Sequence, residues 1–128
     1  MRYYKFNNDL ADFSDNHVAA SYIGSSLEYT ENRFMETGNA IKFSGDDGIS
    51  TNLTSLKGDF TVSFWFKADT RLHSGKYPLV TKHTNPARGD AGLEFGIFLS
   101  IVTNTRANLI FQMGSGNDSN GYWQMDLI

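Results

Sequence analysis

Cysteine is absent from the 128 residues, which excludes disulfide staples, a thiolate metal site and thiol catalysis while leaving the redox compartment open. Proline occurs only twice. No apolar run approaches the roughly 20 residues that a membrane-crossing helix needs, so membrane insertion is not expected. The opening residues are polar and aromatic and lack the apolar stretch of a signal peptide. Positive charge is also short. Eleven Lys and Arg stand against fourteen Asp and Glu, a formal net charge of −3, the wrong sign for a domain that tracks a phosphate backbone. Nucleic acid is therefore not an expected partner. Helical periodicity is missing too: no window of a dozen residues spaces its apolar positions by three and four, and residues 26–35 could hold at most a turn or two of helix.

What the chain does have is aromatic side chains. Ten Phe, six Tyr and two Trp, within a hydrophobic share of 40%, supply the surface for a core of one domain spanning residues 1–128. Short aromatic and β-branched runs at 3–6, 18–22, 40–43, 48–51, 60–67, 78–83, 93–101, 107–113 and 122–127 read as strands, separated by clusters of Gly, Asn, Asp and Ser. The cleanest is 60–67, where Phe60, Val62, Phe64 and Phe66 alternate with Thr61, Ser63 and Trp65. Leu93, Phe95, Ile97, Leu99 and Ile101 repeat the alternation, with Gly96 and Ser100 on the other face. Leu109, Phe111 and Met113 repeat it again, and such stripes need a partner layer. Residues 45–48 and 115–121 read as hairpin tips, rich in residues that accept positive φ or cap their own backbone, and 85–92 as a surface loop.

Catalytic constellations are lacking. Glu94 stands alone in its strand, Glu28 and Glu31 lie three apart in a turn-like stretch, and the adjacent Asp46 and Asp47 point to opposite sides of an extended backbone; none forms a pair flanking a scissile bond. His17, His73 and His83 are scattered without a nucleophile elbow or zinc spacing. Gly114, Ser115 and Gly116 lack the later Gly and Lys of a phosphate cradle. The sequence is therefore not expected to encode an enzyme. Calcium is the ion that the composition suits, because hard cations collect carboxylate, amide and carbonyl oxygens. Three turn clusters offer them: Asp9, Asp12 and Asp15; Asp46 and Asp47; and Asn117 and Asp118. For a ligand with an apolar face, such as a sugar ring, Tyr77, Tyr122 and Trp123 at strand ends are the candidates. Neighbours in a strand face opposite ways, so Tyr122 and Trp123 cannot both meet it.

Four patterns taken in order carry a resemblance: YKFNNDLADFSDN at 4–16, GNAIKFSG at 38–45, DFTVSFWFK at 59–67 and PLVTK at 78–82. Their succession resembles the laminin-G-like, concanavalin A-like jelly-roll superfamily across nearly the whole chain. The resemblance implies an all-β, antiparallel two-sheet jelly-roll sandwich, a Trp65 packed inside, a calcium ion at the rim, and an extracellular or cell-surface setting. It also implies further closing strands after those matching 93–127, so the chain is expected to leave an open sheet edge through which it forms a homo-oligomer. The function expected is that of a non-catalytic module that binds a glycan or an extracellular protein surface and localises a larger protein. The alternatives are a structural or adhesion domain without a small ligand and, more distantly, a fragment of a glycoside hydrolase.

Overall fold

The period-two stripes of the second half become strands whose registers match residue for residue. In the computed structural model, which describes residues 1–44, 47–53, 58–68, 73–83, 92–103, 106–114 and 122–127, the chain divides into two units, Met1–Ser63 and Phe64–Ile128. In the second unit β5 (Gly75–His83), β6 (Leu93–Thr103), β7 (Arg106–Gly114) and β8 (Tyr122–Leu127) form one antiparallel sheet in the order β5-β6-β7-β8. Phe95 lies opposite Met113, Ile97 opposite Phe111 and Leu99 opposite Leu109. Directly opposed residues share a face, so the stripes read at 93–101 and 109–113 merge into one apolar surface. Phe95 and Leu99 are buried on it, and the Phe95 and Phe111 rings meet edge to face with centroids 5.4 Å apart; Leu93, beyond the irregularity at Lys82/His83, clusters instead with Phe98 and Ile110. Each such burial contributes roughly 1.5–3 kcal/mol.

The opposite face mixes character. Phe98 and Ile110 are buried there beside Gln112, which is also buried. The Phe98 ring folds back over Gly96 so closely that a Cβ at 96 would strike its edge, which is why glycine stands in mid-strand. Lys76 Nζ donates to Gln112 Oε1 at 2.7 Å and sits 4.0 Å from the Phe98 ring centroid. Pro78 is tolerated because β5 is an edge strand that bulges between Pro78 and Val80. Residues 115–121 join the paired strands β7 and β8, the connection expected of a hairpin; 85–91 and 115–121 lie outside the described residues.

The first unit is built differently. β1 (Ser21–Ile23) pairs with β4 (Gly48–Ser50), and β2 (Glu28–Thr30) with β3 (Ala40–Lys42), each pair a separate antiparallel ribbon of three-residue strands. Three expectations change here. Residues 26–35 contain strand β2 rather than a helical turn, because Tyr29 and Thr30 are strand formers that find Ile41 and Ala40 across the ribbon. Residues 3–6 contribute only the single bridge Tyr4 to Asp12. β3 and β4, on either side of the expected hairpin tip at 45–48, belong to different ribbons rather than to one hairpin, and residues 45 and 46 lie outside the described residues. No α-helix occurs among the described residues, and no helix is long and apolar enough to cross a membrane. The fold is thus all-β and antiparallel, built from several sheets.

The cleanest strand of the sequence is the largest departure. Residues 59–67, in which the chain passes from the first unit to the second, belong to none of the three sheets. Alternation survives in the side chains: the Phe64 and Phe66 rings lie side by side, centroids 5.9 Å apart, as i and i+2 neighbours do on one side of an extended backbone. Period two reports which residues share a face, and it does not report that the same chain supplies the cover.

Candidate functional site

The candidates named from the sequence are spread rather than gathered. Tyr77 sits on β5 opposite Leu99, half-buried, with its hydroxyl donating to the His73 carbonyl at 3.0 Å. Tyr122 and Trp123 lie on β8 opposite Gly114 and Met113, successive positions on opposite faces as expected. β5 and β8 are the two edges of the sheet, roughly 14 Å apart at about 4.8 Å per strand spacing. Tyr77 shares its row with Leu99, Leu109 and Leu127, while Trp123 shares its row with Met113, Phe95 and Lys82.

Of the oxygen donors, Asp46, Asn117 and Asp118 lie outside the described residues. Asp47 accepts the Ser44 N–H on Oδ2 at 3.2 Å and stands beside the Tyr22 phenol, which also donates to the Ser26 carbonyl at 2.6 Å. Desolvation pushes the Tyr22 phenol up, and the neighbouring Asp47 carboxylate adds to the shift. Asp9 Oδ1 caps the Ala11 N–H at 3.1 Å. Among the described residues no three His, Asp or Glu side chains gather as a metal would require.

Asp12, a calcium candidate by sequence, is the organising group of the first unit instead. Its Oδ1 accepts the N–H groups of Tyr3 (3.0 Å) and Ser14 (2.9 Å), and its Oδ2 accepts Arg2 Nη1 (3.2 Å) and the Val18 N–H (3.3 Å). Four donors fill the acceptor capacity of a carboxylate, which leaves no lone pair to face a cation. Desolvation pushes the Asp12 carboxyl up, but the hydrogen bonds from Tyr3, Ser14 and Arg2 outweigh it and hold the group well below the usual carboxylate range. Around this hub the Ser14 hydroxyl and Asn16 Nδ2 both donate to the Met1 carbonyl, and the Tyr4 hydroxyl donates to the Val18 carbonyl. Tyr4 is raised by its own desolvation and by the Asp12 charge. Glu94 Oε1 takes Lys82 Nζ at 3.2 Å and Glu28 Oε1 takes Lys42 Nζ at 2.9 Å.

The feature the sequence misassigned is the surface of residues 59–67. Trp65, expected inside, is 78% exposed, and its neighbours Phe64 and Phe66 are 38% and 48% exposed. In the second unit Phe64, Trp65 and Phe66 thus place three successive aromatic side chains at least partly in contact with solvent, a patch of the kind that marks an interaction surface. Alternation could have pointed to it only in combination with a count of partner strands: the chain offers many aromatic positions and few long strands to cover them. No family model, no curated protein and no solved structure matches the chain.

Proposed function

We propose that this chain is a non-catalytic recognition module whose ligand is a protein surface and which localises the longer extracellular protein that carries it. One observation supports the reading above the rest, the exposed Trp65 flanked by the part-exposed Phe64 and Phe66 in the second unit. Aromatic side chains give large contact area at low entropic cost, and Trp anchors dominate protein interfaces. A glycan site would need planar polar groups converging on an exposed ring, whereas the Tyr77 hydroxyl is spent on the His73 carbonyl. The proposal takes the whole as a jelly-roll sandwich, which the apolar rows of β6 and β7 favour because they pattern both strands for a facing layer.

A photo-crosslinking amino acid at position 65 tests the ligand class. The expected result is protein adducts in extracts of the native host, together with silence on a glycan array both with calcium and with a chelator. Array binding that survives Trp65→Ser and Phe66→Ser would reassign the module to glycans, and binding lost on chelation would bring the calcium of the sequence reading with it.

A further inference from the structure

Resting on the reading of a protein ligand, we infer that Tyr3 and Phe13, in the first unit, form a contact site for an arginine side chain of the protein partner, a site that Lys5 occupies until the arginine arrives. The two aromatic residues are brought together by the backbone. The Phe13 N–H donates to the Tyr3 carbonyl at 2.7 Å beside the bridge of Tyr4 to Asp12, and Asp12 Oδ1 takes the N–H groups of Tyr3 and Ser14. Side chains then sort by alternation. Arg2 turns to Asp12, the Tyr4 hydroxyl to the Val18 carbonyl, and the Tyr4 ring stacks on Phe6 with centroids 6.1 Å apart. Tyr3 and Lys5, the positions between them, are exposed. Tyr3 keeps 50% and Phe13 45% of its surface in solvent, enough for an incoming group to meet both rings.

A cation already rests on these rings. Lys5 Nζ lies 4.5 Å from the Phe13 centroid and 5.8 Å from that of Tyr3, within the roughly 6 Å over which a ring face attracts positive charge. Among the described residues Lys5 joins no ion pair; the ring faces are what hold it. The same rings suit a guanidinium better. It is planar, stacks on aromatic faces and is more weakly hydrated than an ammonium, so it gives up less water for the same attraction. An arriving arginine returns Lys5 to solvent at little cost, because the contact that Lys5 leaves is an exposed one. Charge favours the encounter as well, since the chain carries a formal net charge of −3 and draws a basic partner. The bonds from Tyr3 and Ser14 to Asp12 fix the backbone of the pair beforehand, which lowers the entropy lost on binding.

N-acetylarginine methylamide is the probe, and its citrulline counterpart, of the same shape without the charge, is the control. In an NMR titration the aromatic resonances of Tyr3 and Phe13 are expected to shift and saturate with the arginine compound and to stay in place with the citrulline one. Lys5→Met takes the resident cation away and is expected to lower the Kd about two- to fivefold. Tyr3→Ser combined with Phe13→Ser is expected to abolish binding, read on the backbone amide of Lys5, with circular dichroism checking that the fold is kept; the parent and Lys5→Met carry the test without that variant. Equal shifts with both compounds, no shift with either, a Kd for Lys5→Met that is unchanged or higher, or tighter binding of tetramethylammonium than of the arginine compound would each overturn the arginine site. Any of these results together with protein adducts at position 65 leaves the recognition reading standing without this contact, whereas glycan-array binding without such adducts removes the reading itself.

Discussion

In the second unit a four-stranded sheet stands on apolar rows that run across its strands; in the first, two separate ribbons of three-residue strands accompany a knot of side chains bonding to backbone around Asp12. The contrast extends to the backbone dihedrals. Phe6, Asn8, His17, Met35 and Asn52 all hold positive φ, between 48° and 63°, and all five lie in the first unit. Among the described residues the second unit has none. Left-handed backbone at a non-glycine residue costs on the order of 1 kcal/mol or more and persists only where the surroundings over-determine it. In the first unit the surroundings are polar: the Asp12 hub, and the turn at Asn32, whose Oδ1 takes the N–H groups of Phe34 and Glu36 while Met35 sits between them. Apolar rows need only periodicity, whereas a polar knot needs particular residues at particular places.

The largest expected effect breaks the row side of that comparison. Phe95 is 2% exposed and stacks edge-on with Phe111, so Phe95→Ala removes a ring from the centre of the sheet and leaves a cavity. Urea denaturation is expected to register a loss of about 3–5 kcal/mol, with faster amide exchange along β6 and β7. A loss below about 1 kcal/mol would mean that the rows are not what holds the sheet.

The second breaks the knot. Asp12→Asn keeps the shape of the side chain but replaces an acceptor oxygen with a donor, facing N–H groups and the Arg2 guanidinium with another N–H. The Tm at neutral pH is expected to fall. The pH dependence carries the sharper signature. Because the folded Asp12 titrates below its ordinary 3.8, its stabilisation is complete above that value and is lost as the pH drops from about 4 toward the depressed folded value. Plotted as parent minus variant, the Tm difference is expected to be flat from pH 7 to 5 and to shrink steadily below 4. A difference that stays constant down to pH 2 would show that the carboxylate charge is not what the four donors recognise.

This division also explains how much could be read in advance. The stripes at 93–101 and 107–113 announced strand and alternation, because a period of two survives any detail of the neighbours; the register that opposes Ile97 to Phe111 was not in them, since a shift by two residues keeps the same pattern. Tyr122 to Leu127 was legible for the same reason. Strand β2 was not, since three residues are too few to display a period, and Tyr29 and Thr30 carry their signal only once Ile41 and Ala40 are beside them. Asp12 looked like one of three spaced acids suited to a cation; nothing local to it announced that Arg2, Tyr3, Ser14 and Val18 would all turn toward it. For the candidate site the failure is more instructive. Phe60 to Phe66 displayed the best alternation in the chain and was therefore assigned to the interior, with Trp65 inside by resemblance. Alternation is equally the pattern of a strand whose cover comes from elsewhere.

The smallest effect sharpens the comparison by holding the chemistry constant across the two regions. Each unit has a Lys–Glu pair between neighbouring strands: Glu28 with Lys42 across the β2–β3 ribbon at 2.9 Å, and Glu94 with Lys82 across β5 and β6 at 3.2 Å. By distance alone the first should be the stronger. Its side chains are both 52% exposed, however, against 16% and 27% for Lys82 and Glu94, so water and salt screen it far more. Lys82 is further tied by donating to the His83 carbonyl at 3.1 Å, which lowers the entropy lost in pairing. Double-mutant cycles with alanine are expected to give a coupling near zero to about 0.3 kcal/mol for Glu28–Lys42, fading in 0.5 M salt, and about 0.5–1 kcal/mol for Glu94–Lys82, largely salt-resistant. The reverse order would mean that the short strands of the first unit are held by their surface charges after all.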